Sequence, residues 1–145
     1  MGISESELLQ LVIQPTLKLI DDCNEYAQQC LTSAASACHL GDNLTPKHGP
    51  GLGVYGITPG QHRALWDTYL IHHHDLASQV RGLASQRAFL IHPDEELITN
   101  LRYATAIAWL LIRQYIESNN LSLTTATISD VVKAVFGQRS CHIAA

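Results

Sequence analysis

Charged residues are scarce in this sequence. They make up 15% of the 145 residues, against about 25% in an average soluble protein. Because hydrophobic residues make up 46%, the chain lacks the low hydrophobicity and high charge that are typical of disorder. The 9 basic residues are outnumbered by 13 acidic ones, which gives a formal net charge of −4, whereas nucleic-acid-binding domains are usually basic. We therefore expect an ordered protein that does not bind nucleic acid.

Long hydrophobic runs are also missing. The most apolar segment, residues 104–112, is flanked by Arg102 and Arg113. It is much shorter than the ~20 residues that cross a bilayer. The first residues do not form the basic and then apolar stretch of a secretory signal. The sequence therefore predicts no membrane segment and no secretion signal.

Closely spaced metal ligands are absent as well. The first three of the four cysteines, Cys23, Cys30 and Cys38, lie seven and eight residues apart. This spacing aligns them on one helical face but too far apart for disulfides. Cys38 and Cys141 each precede a histidine, which is not the spacing of a zinc site. The three histidines at 72–74 are consecutive, so they do not face one site on a helix. We expect reduced thiols, no metal and no cofactor.

The sequence contains many helix signals. Ser4 with Glu7 is a capping-box pattern. Thr58, Pro59 and Gln61 together predict a second strong helix start. Pro15 is expected to kink or restart the first helix, because it lacks an N–H and clashes with the preceding turn. Asp21 and Asp22 mark a break before the next helical stretch, which ends near Cys38.

The second half of the sequence continues this helical pattern. Residues 42–53 are predicted to be a loop rich in glycine and proline, and residues 54–57 a short extended or turn segment. A helix is predicted from Asp75 to Ala88, with Asp75 as its N-cap. The longest helix is predicted from residues 92–96 to Glu117, and it is nearly apolar after Tyr103, so it is expected to be central. Ser129 and Asp130 are predicted to cap a last helix over residues 131–136. These patterns predict one all-α domain over residues 1–145.

Three short segments carry a resemblance to a known family. They are residues 34–41, Ala-Ala-Ser-Ala-Cys-His-Leu-Gly, residues 51–62, Gly-Leu-Gly-Val-Tyr-Gly-Ile-Thr-Pro-Gly-Gln-His, and residues 100–106, Asn-Leu-Arg-Tyr-Ala-Thr-Ala. In this order they resemble small phage-encoded lysozyme-like proteins of the superfamily that includes lytic transglycosylases and goose-type lysozymes. The resemblance spans roughly residues 8–116. It implies a lysozyme-like helical domain around a buried central helix, with peptidoglycan as the family's substrate.

This sequence departs from the family pattern at positions that take part in the family's catalytic chemistry. In the family, the first segment ends in a glutamate that protonates the glycosidic oxygen, and burial keeps this acid protonated. The aligned residue here is Ala37, which has no proton to donate. The glutamine that lines the family's cleft is replaced by Gly56. The resemblance implies a substrate cleft at Cys38, Gly53, Tyr55, Gly56, Asn100 and Tyr103.

Three hypotheses follow from the resemblance. The first is a catalytically degenerate virion protein with a structural or interaction role in a phage tail or baseplate, and it predicts no enzymatic activity. The second is an active peptidoglycan hydrolase that uses a displaced acid, for which Asp42 in the loop is the candidate. The third is a glycan-binding module that keeps the cleft without the chemistry, with Tyr55 or Trp66 stacking on sugars.

The expected partners follow from the same resemblance. They are other virion proteins, further copies of this chain, or peptidoglycan, with no nucleic acid and no membrane. The expected location is the phage particle, or the host cytoplasm during assembly.

Overall fold

The fold is all-α, as the sequence predicts. A computed structural model describes residues 4–37, 55–84, 91–124 and 126–136. Over these residues the backbone is mainly helical, and its one extended feature is an isolated bridge residue, Ile57. Within the same ranges no helix has the length and apolar character that a membrane span requires.

The first helical segment changes its winding twice. It comprises α1 (Glu5–Glu7), a π-helix (Leu8–Ile13) and α2 (Gln14–Leu19). The predicted capping box is confirmed: the backbone N–H of Glu7 donates to Ser4 Oγ at 3.1 Å, and that of Ser4 donates to Glu7 Oε1 at 3.1 Å. Pro15 is the second residue of α2. The backbone stays helical through Ile13 and Gln14, and the winding changes from π to α directly before Pro15. The disturbance predicted at Pro15 takes the form of this change of winding.

The break at Asp21 and Asp22 is also confirmed. Asp21 has a φ of 60°, in the left-handed region, so the chain turns sharply before α3 (Glu25–Ala37). Asn24 begins this helix, since its side-chain oxygen accepts from the backbone N–H of Ala27 at 2.9 Å. The buried face of α3 consists of Ala27, Cys30, Leu31, Ala34 and Ala35.

Two short helices lie in the next described range, residues 55–84. The helix α4 (Pro59–Thr68) has the predicted capping box, with Thr58 accepting from Gln61. A 3-10 turn (Leu70–His72) connects it to α5 (His74–Leu83). The prediction that Asp75 is the N-cap is wrong, because His73 holds that position and Asp75 lies in the first turn.

The predicted longest helix is in fact divided into three parts. They are a 3-10 turn (Pro93–Glu95), α6 (Glu96–Thr99) and α7 (Leu101–Ser118). The backbone of Asn100 is extended, with φ −116° and ψ 95°, so α6 and α7 do not form one continuous helix. The prediction of a continuous helix from residues 92–96 is wrong, because Asn100 caps α7 instead of continuing α6.

The central helix of the fold is α7. Every residue from 103 to 112 is buried, which confirms that the apolar run lies in the core. This helix packs against α2, α3, α4 and α5. A helix that is apolar on all sides has to be surrounded in this way to remove its whole surface from water.

The last helix, α8 (Ile128–Phe136), packs against α3 and α7. It begins before the predicted caps, so the assignment of Ser129 and Asp130 as N-caps is wrong. A turn at Thr127 precedes it, in which the backbone N–H of Thr124 donates to Thr127 Oγ1 at 2.9 Å. The buried face of α8 includes Val131, Val132, Val135 and Phe136.

Candidate functional site

The start of α7 is held by the side chain of Asn100. Its Oδ1 accepts from the backbone N–H of Tyr103 at 3.0 Å, and its Nδ2 donates to the carbonyl of Leu83 at 2.8 Å and to Glu96 Oε1 at 3.0 Å. A single amide group therefore caps α7 and fixes α5 and α6 beside it. Asparagine suits this position because it offers an acceptor and two donors.

A chain of hydrogen bonds joins α7 to α4. The hydroxyl of Tyr103 lies 2.6 Å from His62 Nε2, and it accepts from the indole N–H of Trp66 at 2.9 Å. The imidazole of His62 lies edge-on to the phenol ring, with their centroids 5.5 Å apart. Tyr103 is fully enclosed and His62 is 2% exposed, so these groups are in the interior of the protein.

The positions of the protons in this series of hydrogen bonds can be assigned from the partners of His62. Its Nδ1 lies 2.9 Å from Asp94 Oδ1, and a carboxylate only accepts, so Nδ1 carries the proton. Nε2 is then the acceptor for the Tyr103 hydroxyl. Burial lowers the pKa of His62 despite the neighbouring Asp94, and burial raises the pKa of Tyr103. Both groups are therefore neutral near pH 7.

A second hydrogen bond fixes the segment before α4 to α7. The hydroxyl of Thr105 donates to the carbonyl of Leu101 at 2.7 Å and lies 2.8 Å from the hydroxyl of Tyr55. Since the Thr105 proton is directed at Leu101, Tyr55 is the donor. Burial also raises the pKa of Tyr55, and this residue has no exposed surface.

Gly56 has a conformational reason to be glycine. Its φ is 65°, in the region where a Cβ costs roughly 1–2 kcal/mol. A glutamine, which the resemblance implies at this position, would be strained in this backbone. The turn at Gly56 places Tyr55 and Ile57 in the core, where both are fully buried.

Glu96 is the one carboxylate residue that is buried among the described residues. Its Oε1 accepts from the amide of Asn100 at 3.0 Å. Glu96 lies in the first turn of α6, where the helix dipole favours a carboxylate. Nothing in its spacing indicates burial, because the turn that brings α6 against α5 depends on the break at Asn100.

The other half of α7 carries a charged cluster. Asp22 Oδ2 accepts from the indole N–H of Trp109 at 2.8 Å and from Arg113 Nη1 at 3.0 Å. Arg113 Nε donates to Glu117 Oε2 at 3.1 Å, and the Tyr69 hydroxyl donates to Glu117 Oε1 at 3.0 Å. Burial raises the pKa of Tyr69 to about 12, so it remains a donor. These ionic side chains are partly exposed, at 25% for Asp22 and 31% for Arg113.

The chemistry available at the start of α7 is limited by access. A carboxylate, an imidazole and a phenol in series are able to relay a proton. However, the reacting atom of a substrate must come within hydrogen-bond distance of one of them, and Tyr103 and His62 are enclosed. Of the carboxylate, the imidazole and the phenol, Asp94 is the one with a substantial surface, at 27% exposure, and it also pairs with Arg63 Nη2 at 3.5 Å. The geometry is that of a satisfied interior network.

The structure brings together three of the residues that the resemblance assigns to a cleft. Asn100 and Tyr103 lie in the first turn of α7, and Tyr55 reaches the same half of the helix through Thr105. Gly56 is next to Tyr55 in the turn. Their part in a cleft stays a prediction. Ala37 is the last residue of α3, whereas Cys38, Asp42 and Gly53 lie outside the described residues.

Two members of the network were missed by the sequence analysis. His62 precedes Trp66 by four residues, and Leu65 by three, so helical spacing alone puts it on the apolar face of α4. That signal was present. Asp94 gave no comparable signal, because its approach to His62 depends on how the 3-10 turn packs against α4.

Two of the four cysteines and the histidine triplet lie in the described residues. Cys30 is buried and Cys23 half-buried, and both are free thiols; burial raises the pKa of Cys30 to about 12. His73 Nδ1 lies 2.8 Å from the Tyr69 carbonyl, and its ring stacks on Tyr69. No group of three or more metal-binding side chains is found in the described ranges. Cys38 and Cys141 lie outside them.

Comparison with known proteins gives no match to this chain among protein-family models, curated proteins or solved structures. The resemblance to lysozyme-like proteins therefore depends on the three sequence segments, and what it implies about function is a proposal.

Proposed function

We propose that this chain is a catalytically inactive lysozyme-like domain with a structural or interaction role in a phage particle. The proposal starts from the resemblance and from the two positions where the sequence departs from it. Ala37 stands where the family has its general acid, and Gly56 stands where it has a cleft glutamine. A methyl group has no proton to transfer, so the family's reaction has no acid at this position.

The enclosure of the start of α7 is the observation that carries the proposal. His62 and Trp66 are each hydrogen-bonded to the Tyr103 hydroxyl, and Tyr55 is hydrogen-bonded to Thr105. An active cleft keeps polar groups open for its substrate and loses stability by doing so. Here the same groups stabilise the packing of α4 against α7. Gly56 agrees with this reading, since its φ of 65° serves the turn that buries Tyr55.

The surface supports a role in association. Charged residues make up 15% of the chain, and the core of a protein interface is depleted in charge. Several large apolar side chains are exposed, with Leu11 at 60% and Ile91 at 61%. Association with other proteins or with further copies would remove such surface from water. The other exposed apolar side chains are Leu19, Tyr26, Ile71 and Leu121.

Digestion of purified peptidoglycan sacculi tests the lack of activity. The protein is incubated with sacculi, and released muropeptides are separated by chromatography beside an active lysozyme. We expect no release above that of buffer. Release by the unaltered chain contradicts the proposal, and loss of that release in Asp42→Asn would instead support the displaced acid. The Ala37→Glu variant, assayed in parallel, shows whether the missing acid is the sole barrier.

Detection in particles tests the structural role. Phage particles are purified, washed in high salt and treated with nuclease, and the chain is sought by mass spectrometry. We expect it in the particles at a fixed ratio to the major virion proteins. Its presence in infected cells together with its absence from washed particles would contradict the structural role.

A further inference from the structure

A cavity of about 640 Å³ lies between α4 and α5. Its volume is within the roughly 300–1,000 Å³ of small-molecule sites. Trp66 forms one wall, and α5 forms the other with His74, Ser78, Arg81 and Gly82. Two alanines from the same stretch complete the described lining.

The helix α5 presents one face to this cavity. His74, Ser78 and Arg81 are four and three residues apart, which is the spacing of side chains on one side of a helix. Gly82 lies next to them in the last turn. A Cβ added at Gly82 would meet no heavy atom within 4 Å. The absence of a side chain there keeps the cavity open, although glycine in a helix costs roughly 0.5–1 kcal/mol relative to alanine.

The charge of the lining differs from that of the whole chain. The chain has a formal net charge of −4, yet no carboxylate is among the described lining residues. Arg81 supplies a permanent positive charge and has protein partners of its own. It acts on the nearby Tyr103, where the buried Glu96 acts with the opposite sign. A guanidinium has five N–H donors, so it is able to contact an anion in addition to protein groups. His74 and Ser78 add a ring nitrogen and a hydroxyl at the same face.

Trp66 supplies a flat apolar surface in a fixed position. Its indole N–H donates to the Tyr103 hydroxyl at 2.9 Å, so the ring is held by the network at the start of α7. The side chain is half-buried, and its remaining surface borders the cavity. A ring held in this way stacks on a planar ligand with little loss of conformational entropy.

We propose that this cavity binds a small organic anion that has a planar ring and one carboxylate or phosphate group. The ring packs against Trp66, and the anionic group is held by Arg81 with Ser78 and His74. A charge-assisted hydrogen bond from arginine to an oxyanion is stronger than a neutral one, so the charge of the ligand decides its affinity. This inference is independent of whether the domain cleaves peptidoglycan.

Binding is measured by NMR titration of the full chain with four probes. They are phenyl phosphate, benzoate, neutral benzamide and inorganic phosphate, and the reporter is the indole N–H resonance of Trp66, assigned by its loss in Trp66→Phe. We expect phenyl phosphate or benzoate to bind saturably and at least about tenfold more tightly than benzamide. The tighter of the two anions identifies the anionic group.

Gly82→Met is the variant that blocks the cavity. Because the space around Gly82 is open, the flexible side chain enters the cavity without displacing the fold. We expect the affinity for the anionic probe to fall at least about tenfold, because the methionine side chain occupies space that the probe would fill. Gly82→Ala and Gly60→Met are the controls: the first adds only a methyl group, and the second alters an exposed glycine of α4. Both should bind as the unaltered chain does.

Several results would overturn the proposal. They are the absence of saturable binding by either ring-bearing anion, equal affinity for benzamide, and unchanged affinity in Gly82→Met that remains folded by circular dichroism. Equal affinity for inorganic phosphate and phenyl phosphate would remove the role of Trp66 and so overturn it as well. None of these results depends on muropeptide release, so this proposal and the proposed function fail separately.

Discussion

The two halves of α7 accommodate polar groups in different ways. In the N-terminal half, Tyr103 binds His62 and Trp66 through neutral groups, and Tyr103 and His62 are almost completely enclosed. In the C-terminal half, Arg113 binds Asp22 and Glu117 through full charges that stay partly exposed. Neutral groups enter the interior once their hydrogen bonds are made, whereas ions lose much more on leaving water.

This difference has a consequence for function. The enclosed half is the part of the helix that the lysozyme-like pattern assigns to a substrate cleft. Its polar groups are instead hydrogen-bonded to neighbouring elements of the protein. The charged half remains in contact with water, where its ion pairs are screened by salt. The predictions below separate the two halves by size of effect and by response to salt and pH.

The largest effect is expected from Tyr103→Phe. The change removes one oxygen and leaves the Trp66 N–H and His62 Nε2 without their partner in the core. We expect the free energy of unfolding to fall by about 3 kcal/mol, since each unsatisfied buried group costs about 1–3 kcal/mol. Urea denaturation followed by circular dichroism measures this change. Tyr115→Phe on the same helix is the matched control, and an equal effect there would contradict the special role of Tyr103.

A smaller, salt-dependent effect is expected from Asp22→Asn. Asparagine keeps an oxygen for the Trp109 N–H but removes the charge that faces Arg113. We expect a loss of about 1 kcal/mol at low salt, in line with a partly exposed ion pair, and a smaller loss in 1 M salt. The loss in Tyr103→Phe should not change with salt. If salt instead reduces the effect of Tyr103→Phe, the description of the N-terminal half as neutral and the C-terminal half as charged is wrong.

The smallest effect is expected from Asp21→Gly in the turn beside the charged cluster. Asp21 has a φ of 60° and is exposed, and glycine adopts this conformation without a steric penalty. We expect the free energy of unfolding to rise by about 0.5 kcal/mol, which is less than the full left-handed penalty because aspartate tolerates this region. Asn120→Gly, at a φ of 52°, should behave alike. A loss of stability in both would show that these side chains support the turns.

Much of the fold could be predicted from local signals. The capping residues Ser4, Thr58 and Gln61 act through neighbours within three positions, so sequence spacing shows them directly. The apolar run of α7 likewise predicts a central helix. The start of α7 was misplaced although Asn100 caps this helix through Tyr103, three residues on. The other bond of Asn100, to Leu83 seventeen residues away, depends on packing and could not be predicted from a local pattern.

Less of the candidate site could be predicted from the sequence. Tyr55, Asn100 and Tyr103 were named through the resemblance, but their enclosure depends on partners from other elements. His62 was visible as part of the apolar face of α4. Asp94 approaches His62 from 32 positions away, and only the packing of the 3-10 turn makes them neighbours.

The pH response of His62 follows from its burial. Burial lowers its pKa in the folded protein, so below about 6.5, the usual value for histidine, the unfolded state binds the proton more readily. The contribution of His62 to stability is therefore complete above that pH and is lost as the pH falls through the folded pKa.

The titration of the His62 ring by NMR tests most directly whether the start of α7 is closed. The ring resonances are followed from pH 8 to pH 4, with His62→Gln used for assignment. A neutral ring with the proton on Nδ1 near pH 7, and a midpoint below about 6.5, the usual value for histidine, is the expected result. A midpoint at or above about 6.5 would contradict the enclosure, because an open, solvated imidazole beside Asp94 would take up a proton at least as readily as a free histidine.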